Sequence, residues 1–296
     1  MSDAWPALPF DDWRATCDTL HMWTQIAGKV RLALAPPVNH WWQVALHVSA
    51  RGLTTTATAY EGRSFEIEFD FIDHVLAIRT GEGGTKTLRL EPKSVAAFYT
   101  ELMSALAELG ITVRIRTMPQ EFDDPIPFDR DTTHAAYERA PVERFGTALR
   151  SIDAVLQEFR GGFIGKSSPV HFFWGSFDLC VTRFSGRRAP PMPQADKVTQ
   201  EAYSHEVSSV DWWPGDATTP YPAFYAYASP EPAGFGQAPV HPAAAFYDDR
   251  DFGQFRLRYD DVRSAASPRQ ALLEFCRSTY EAAATLAAWN RGELER

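Results

Sequence analysis

The run "PVHFFWGSFDLCVTRF", residues 169 to 184, sets a histidine, an aspartate and an arginine on one strand-like segment. His171 could give or take a proton, Asp178 could orient such a histidine, and Arg183 could hold an anionic group. On an unbroken strand His171 and Asp178 would point to opposite faces, so Gly175 must bend or bulge the chain if both serve one site. Downstream, Tyr203, His205 and Glu206 bring a second acid–base set, with Arg187 as a further cation. His205-Glu206 begins like a helical zinc motif, but that motif needs a histidine at 209, where the chain has Ser209. The other histidines lack metal-ligand spacing, so no metal site is expected.

The neighbouring "RGGFIGKSS" invites a phosphate-binding reading. A P-loop needs a glycine with four intervening residues before the Gly-Lys pair, and Arg160 holds that position. It must also follow a strand and open a helix, so that backbone N–H groups meet the phosphate. Here a helix ends near Gly161 and Pro169 leads into a strand, so "GKSS" reads as a helix stop and loop. No GxSxG or GxGxxG occurs, which removes the hydrolase elbow and the dinucleotide fingerprint.

Periodicity supplies the elements that must position these residues. A first helix spans about Asp11 to Ala27, with Gly28 to end it. Strands follow in "HWWQVALHVSARG", "SFEIEFDFIDHVLAIRT" and "KTLRLEP", then a helix opened by Pro92 and closed by Gly110, then a strand "ITVRIRT". Residues 118–140 are acidic, carry three prolines and read as a connector. A second helix opens at Pro141 and stops at Gly161. Beyond the "HFFW" strand, a Pro-rich insertion fills 185–220, "PAFYAYA" and "GQFRLRY" are further strands, and Ser267-Pro268 caps a last helix to about Trp289. Long loops of this kind tend to be functional. This one carries Arg187, Tyr203, His205, Glu206, Trp212 and Trp213, the composition of a lid over a pocket.

Both halves thus give helix, Gly-Lys, aromatic strand, more strands, helix, with His40 and His171 in matching places. The pattern predicts an α+β protein with two related halves from an internal duplication. Residues 1–117 are the first unit and 141–296 the second, each with antiparallel sheets. Among 296 residues a net charge of -9 with no Lys/Arg-rich window argues against nucleic-acid binding. Cys17, Cys180 and Cys276 are far apart and form no CxxC, which fits a reduced cytoplasm. The start "MSDAWPALPFDDW" lacks a leader pattern, and no apolar run is long enough for a membrane helix.

The blocks "HFFWGSFDLCVTRFSGRRAPPMP" and "EAYSHEVSS" resemble a bacterial family catalogued as a domain of unknown function. The resemblance extends from "ALPFDDWRATCDTLHMWTQIAGKVRLAL" to "STYEAAATLAAW". It implies no cofactor, substrate or catalytic residue. The residues themselves predict a cytoplasmic small-molecule-binding protein or enzyme with a pocket in the second half. His171, His205, Glu206 and Asp178 are its catalytic candidates, and Arg183, Arg187, Tyr203, Trp174 and Trp212 its ligand-binding candidates. The alternative is a non-catalytic interaction protein that uses the aromatic insertion as its partner surface. Neither reading assigns an oligomeric state.

Overall fold

The computed structural model describes residues 4–250 and 252–296; Met1–Asp3, where the leader pattern was sought, lie outside them. Helix α1 (Arg14–Leu34) runs past Gly28 instead of stopping there. A Cβ on Gly28 would come 2.2 Å from the Trp174 indole, so this glycine makes room for a close approach inside the helix and does not end it. Two antiparallel sheets follow, as expected of an α+β chain. The first holds β1 (His47–Val48), β2 (Gly52–Thr54), β3 (Thr58–Tyr60), β4 (Arg63–Asp70), β5 (Val75–Thr80) and β6 (Thr85–Arg89). Its order is β1-β2-β4-β5-β6, with β3 paired to β4.

The long run 64–80 becomes the hairpin β4–β5. Asp70 Oδ1 accepts from the backbone N–H groups of Ile72 and Asp73, each at 2.9 Å, which stabilises the turn. The aromatic run after Pro37 is not the expected strand. Asn39–Val44 is a 3-10 turn in which His40 and Trp41 have φ of 57° and 60°. Helix α2 (Val95–Glu108) is capped by Ser94, whose hydroxyl accepts from Ala97 N–H at 3.1 Å. Residues 111–117, expected as a strand, form no ladder.

The second half opens with α3 (Arg139–Gly161). Its sheet runs β11-β12-β10-β9-β8-β7, built from β7 (His171–Phe173), β8 (Asp178–Arg188), β9 (His205–Trp213), β10 (Ala223–Ser229), β11 (Phe246–Asp248) and β12 (Gln254–Arg258). Helix α4 (Lys197–Ala202) lies between β8 and β9; α5 (Tyr259–Arg263), α6 (Pro268–Leu286) and α7 (Arg291–Leu294) complete the chain. The 185–220 segment is therefore no simple insertion, because it supplies β9, which lies between β8 and β10.

Each half leads from a helix through neighbouring strands to another helix. The two sheets meet edge to edge, where Leu46 and Phe172 exchange both backbone hydrogen bonds at 2.8 Å. Residue by residue the expected match does not hold: His40 lies in the 3-10 turn and His171 in a strand. One core serves both sheets. Phe145 touches Trp13 and Phe71 from the first half and Phe172, Phe177 and Trp212 from the second. The connector is strapped down as well, with Phe128 and Asp131 buried, Lys29 donating to the Met118 carbonyl and Gln25 to that of Gln120. Among the described residues no helix is long and apolar enough to cross a membrane.

Candidate functional site

The bend required at Gly175 is a full hairpin. Phe177, at φ 59°, turns the chain so that β7 and β8 pair antiparallel, with His171 opposite Cys180 and Phe173 opposite Asp178. Residues directly opposite in a ladder share a face. His171 and Asp178 therefore stand on one side of the sheet. Alternation then divides the rest: Asp178, Cys180 and Thr182 face the same way, while Leu179, Val181 and Arg183 face α3 and α6.

On β9, Asp211 lies opposite Cys180 and also opposite Tyr225 of β10; Ser209 lies opposite Thr182 and Tyr227. These side chains build a polar patch on the face away from the aromatic core. Asp178 and Asp211 are each only 5% exposed. Tyr225 donates its hydroxyl to Asp178 Oδ2 and lies opposite Asp211 in the β9–β10 ladder. Ser176 Oγ donates to Asp178 Oδ1 at 2.8 Å, and Ser209 Oγ to Asp211 Oδ1 at 2.5 Å. Tyr203, at the end of α4, reaches over the patch to Tyr227, hydroxyl to hydroxyl at 3.0 Å.

Electrostatics separates the two acids. Burial raises the pKa of both, and the neighbouring Asp178 charge raises that of Asp211 further, well above the usual carboxylate range. Asp178 receives two hydroxyl donors, which favour its anion. Of the two, Asp211 is pushed the further up. Burial and the two carboxyls also push the Tyr225 phenol well up, and burial raises Tyr203 to about 12, so both hydroxyls stay protonated as donors.

At the β7 edge of the same face lies a second group. His171 is 2% exposed, its ring meets those of Trp42, His47 and Phe173, and its Nδ1 has no partner. Burial, then His47 and two arginines, lowers its pKa to about 3, so it stays neutral. His205 rests against Ser204 Oγ at 3.1 Å and edge-on to His40, and burial lowers its pKa as well.

The other candidates lie elsewhere. Glu206 does not orient His205: both its bonds from Arg187, at 2.7 and 2.9 Å, form on the α6 side, where Arg187 also donates to the Ala287 and Ala288 carbonyls. Arg183 faces the core. Its guanidinium donates to the Phe159 carbonyl at the end of α3 and packs on the rings of Phe159 and Tyr280. Trp212 is fully buried beside Phe145 and Tyr259, and Trp174 donates to the Val44 carbonyl at 2.8 Å while packing on Gly28.

A cleft of about 220 Å³ opens on the α6 side, between Glu206, Ala228, Pro230, Ala283 and Trp289. Its two carboxylates are already engaged, Glu206 by Arg187 and Glu231 by Tyr247. The cleft offers shape without a free acid–base pair, whereas the polar face offers the pair.

Of the residues on this face, sequence reasoning named Asp178, His171, Tyr203 and His205 and did not name Asp211, Tyr225 and Tyr227. Their signal was alternation: Ser209, Asp211 and Trp213 on one strand, Tyr225 and Tyr227 on the next. The "GKSS" loop runs as a short edge along β8, with Ser168 N–H given to the Thr182 carbonyl, and so builds no phosphate cradle. No group of three or more His, Cys, Asp or Glu suited to a metal ion occurs among the described residues.

A family model described as a family of unknown function (DUF5996) matches residues 5–296, and the chain belongs to that family. No curated protein and no solved structure matches it.

Proposed function

We propose that this member of the family binds a small polar molecule on the polar face of its second sheet, and that Asp211 and Asp178 form an acid–base pair there. The observation that carries this reading is Tyr225, whose hydroxyl donates to the buried Asp178 carboxyl while the buried Asp211 stands directly opposite it on β9. Like-charged acids held together and out of water oppose stability, and such pairs concentrate at sites of proton transfer. In this reading Asp211 gives a proton, Asp178 takes one, and Tyr203, Tyr225 and Tyr227 orient hydroxyl or carbonyl groups of the ligand. The half-buried tyrosines leave the patch within reach of solvent.

The burial of Trp212 and the packing of Trp213 against Tyr225 support a ligand site over a flat aromatic docking surface. Three buried free cysteines support a reducing, cytoplasmic setting. The common succession of helix, antiparallel sheet and helix supports descent of the halves from one duplicated unit, and their strand orders differ, with β3 off the path of the first sheet and β12 between β10 and β11 in the second.

Ligand-observed NMR tests the reading, using a panel of small diols, amides and sugars against wild type, Asp178→Asn and Asp211→Asn. Compounds that bind wild type should lose binding to both folded variants. Binding that survives both substitutions would sink the proposal.

A further inference from the structure

The cleft on the α6 side of the second sheet holds about 220 Å³, room for about seven waters at their liquid share of ~30 Å³ each. Ala228 lines it and alternates along β10 with Tyr227, so the cleft and the polar face lie on opposite sides of the sheet. Its walls are mostly apolar. Ala283, Ala287 and Trp289 come from the end of α6 and the turn beyond it, Ala228 and Pro230 from the end of β10. Trp289 is 7% exposed and meets Tyr280 edge to face at 5.9 Å, which fixes that wall.

The charges on the lining are of one sign. Glu206 and Glu231 both line the cleft, and among the described residues no lysine, arginine or histidine does. Arg187 offsets Glu206 through its bonds at 2.7 and 2.9 Å. Glu231 keeps its charge. It accepts from the Tyr247 hydroxyl at 2.5 Å, and among the described residues no cation pairs with it. Burial and then this bond raise the Tyr247 phenol to about 12, so it remains a neutral donor.

The Glu231–Tyr247 pair is also set in place. A Cβ on Gly253 would fall 2.1 Å from the Tyr247 hydroxyl oxygen and 2.3 Å from Glu231 Oε2, so only a glycine lets the pair lie against the backbone there. A carboxylate oriented in advance loses less freedom when a ligand arrives. Glu231 is exposed, so solvent gives access to it.

We propose that this cleft binds a small organic cation, an ammonium on an apolar body of about seven non-hydrogen atoms in all, with the ammonium on Glu231 and the body against Trp289 and the α6 alanines. An anion of the same shape would meet two carboxylates. A neutral molecule would bury the same apolar surface without the ion pair. Asp178 and Asp211 take no part, so the cleft and the polar face are separate sites.

Ligand-observed NMR at pH 7 with three compounds on one ring tests this: cyclohexylamine, cyclohexanol and cyclohexanecarboxylate. Cyclohexylamine should bind about fivefold more tightly than cyclohexanol, the upper worth of an exposed ion pair, and the carboxylate most weakly. Glu231→Gln, which can still accept the Tyr247 bond, should bring the amine down to the affinity of the alcohol and leave the alcohol unchanged. Ala287→Leu, at a half-buried position, should fill the cleft and remove both while far-UV circular dichroism shows the fold intact. Asp178→Asn should leave amine binding as it is. No binding of the amine, equal affinity for amine and alcohol in wild type, or an amine affinity untouched by Glu231→Gln would overturn the proposal.

Discussion

Replacing Asp211 by asparagine should stabilise the protein, and by more at higher pH. The carboxyl is 5% exposed, receives the Ser209 hydroxyl and lies beside Asp178, whose charge raises its pKa. Above the unfolded value of about 3.9 the unfolded chain releases this proton while the folded one retains it, so folding costs about 1.4 kcal/mol more for each pH unit until the folded group ionises. Stability from this group is thus full in acid and lost as pH rises. Asparagine keeps the shape, accepts the same Ser209 bond, presents an N–H where the acid presents an O–H, and does not titrate. The difference between variant and wild type should therefore grow with pH, by about 1.4 kcal/mol between pH 5 and 6. Urea unfolding at half-unit pH steps, with m-values checked for constancy, measures it. A difference that is flat with pH would refute the reasoning, whatever its sign.

Three further outcomes follow from the same structure. His171 has the opposite pH signature: its pKa falls from 6.5 to about 3 on folding, so its stabilisation holds above pH 6.5 and is lost as pH falls. Between pH 7 and 5 that loss is about 2 kcal/mol, and His171→Leu should remove it from the urea-unfolding profile. Gly28→Ala, which helix propensity alone would make favourable, should destabilise by about 2 kcal/mol because its Cβ meets the Trp174 indole; denaturant titration that finds stabilisation would contradict that packing. ATP should leave the melting temperature unchanged in wild type and in Lys166→Ala alike, as checked by thermal-shift measurement.

What the sequence made legible was mostly local. Ser267 caps its helix as expected, and β10 and β12 follow their alternation, whereas the helix expected to open at Pro92 starts at Val95 behind a Ser94 cap. Gly175 correctly marked the place where the chain had to turn for His171 and Asp178 to share a face. Strand β9 was hidden because prolines at 190, 191, 193 and 214 flank it, and because Ser209 and Asp211 interrupt its apolar alternation. The left-handed His40 and Trp41 carried no turn signal, being neither glycine nor asparagine. Gly28, read as a helix stop, met a demand from Trp174, which lies 146 positions away. Asp178, Asp211 and Tyr225 span 47 positions, and only the sheet register joins them. For the same reason Arg183 and Glu206 looked like site residues until their strands showed which way they point.

The central claim is a proton held on Asp211 beside an ionised Asp178 at neutral pH, and infrared spectroscopy can observe it directly. Wild type at pH 7 should give the C=O stretch of a protonated carboxyl, absent from the Asp211→Asn spectrum taken under the same conditions. A wild-type spectrum containing carboxylate bands alone, indistinguishable in that region from the variant's, would contradict the account.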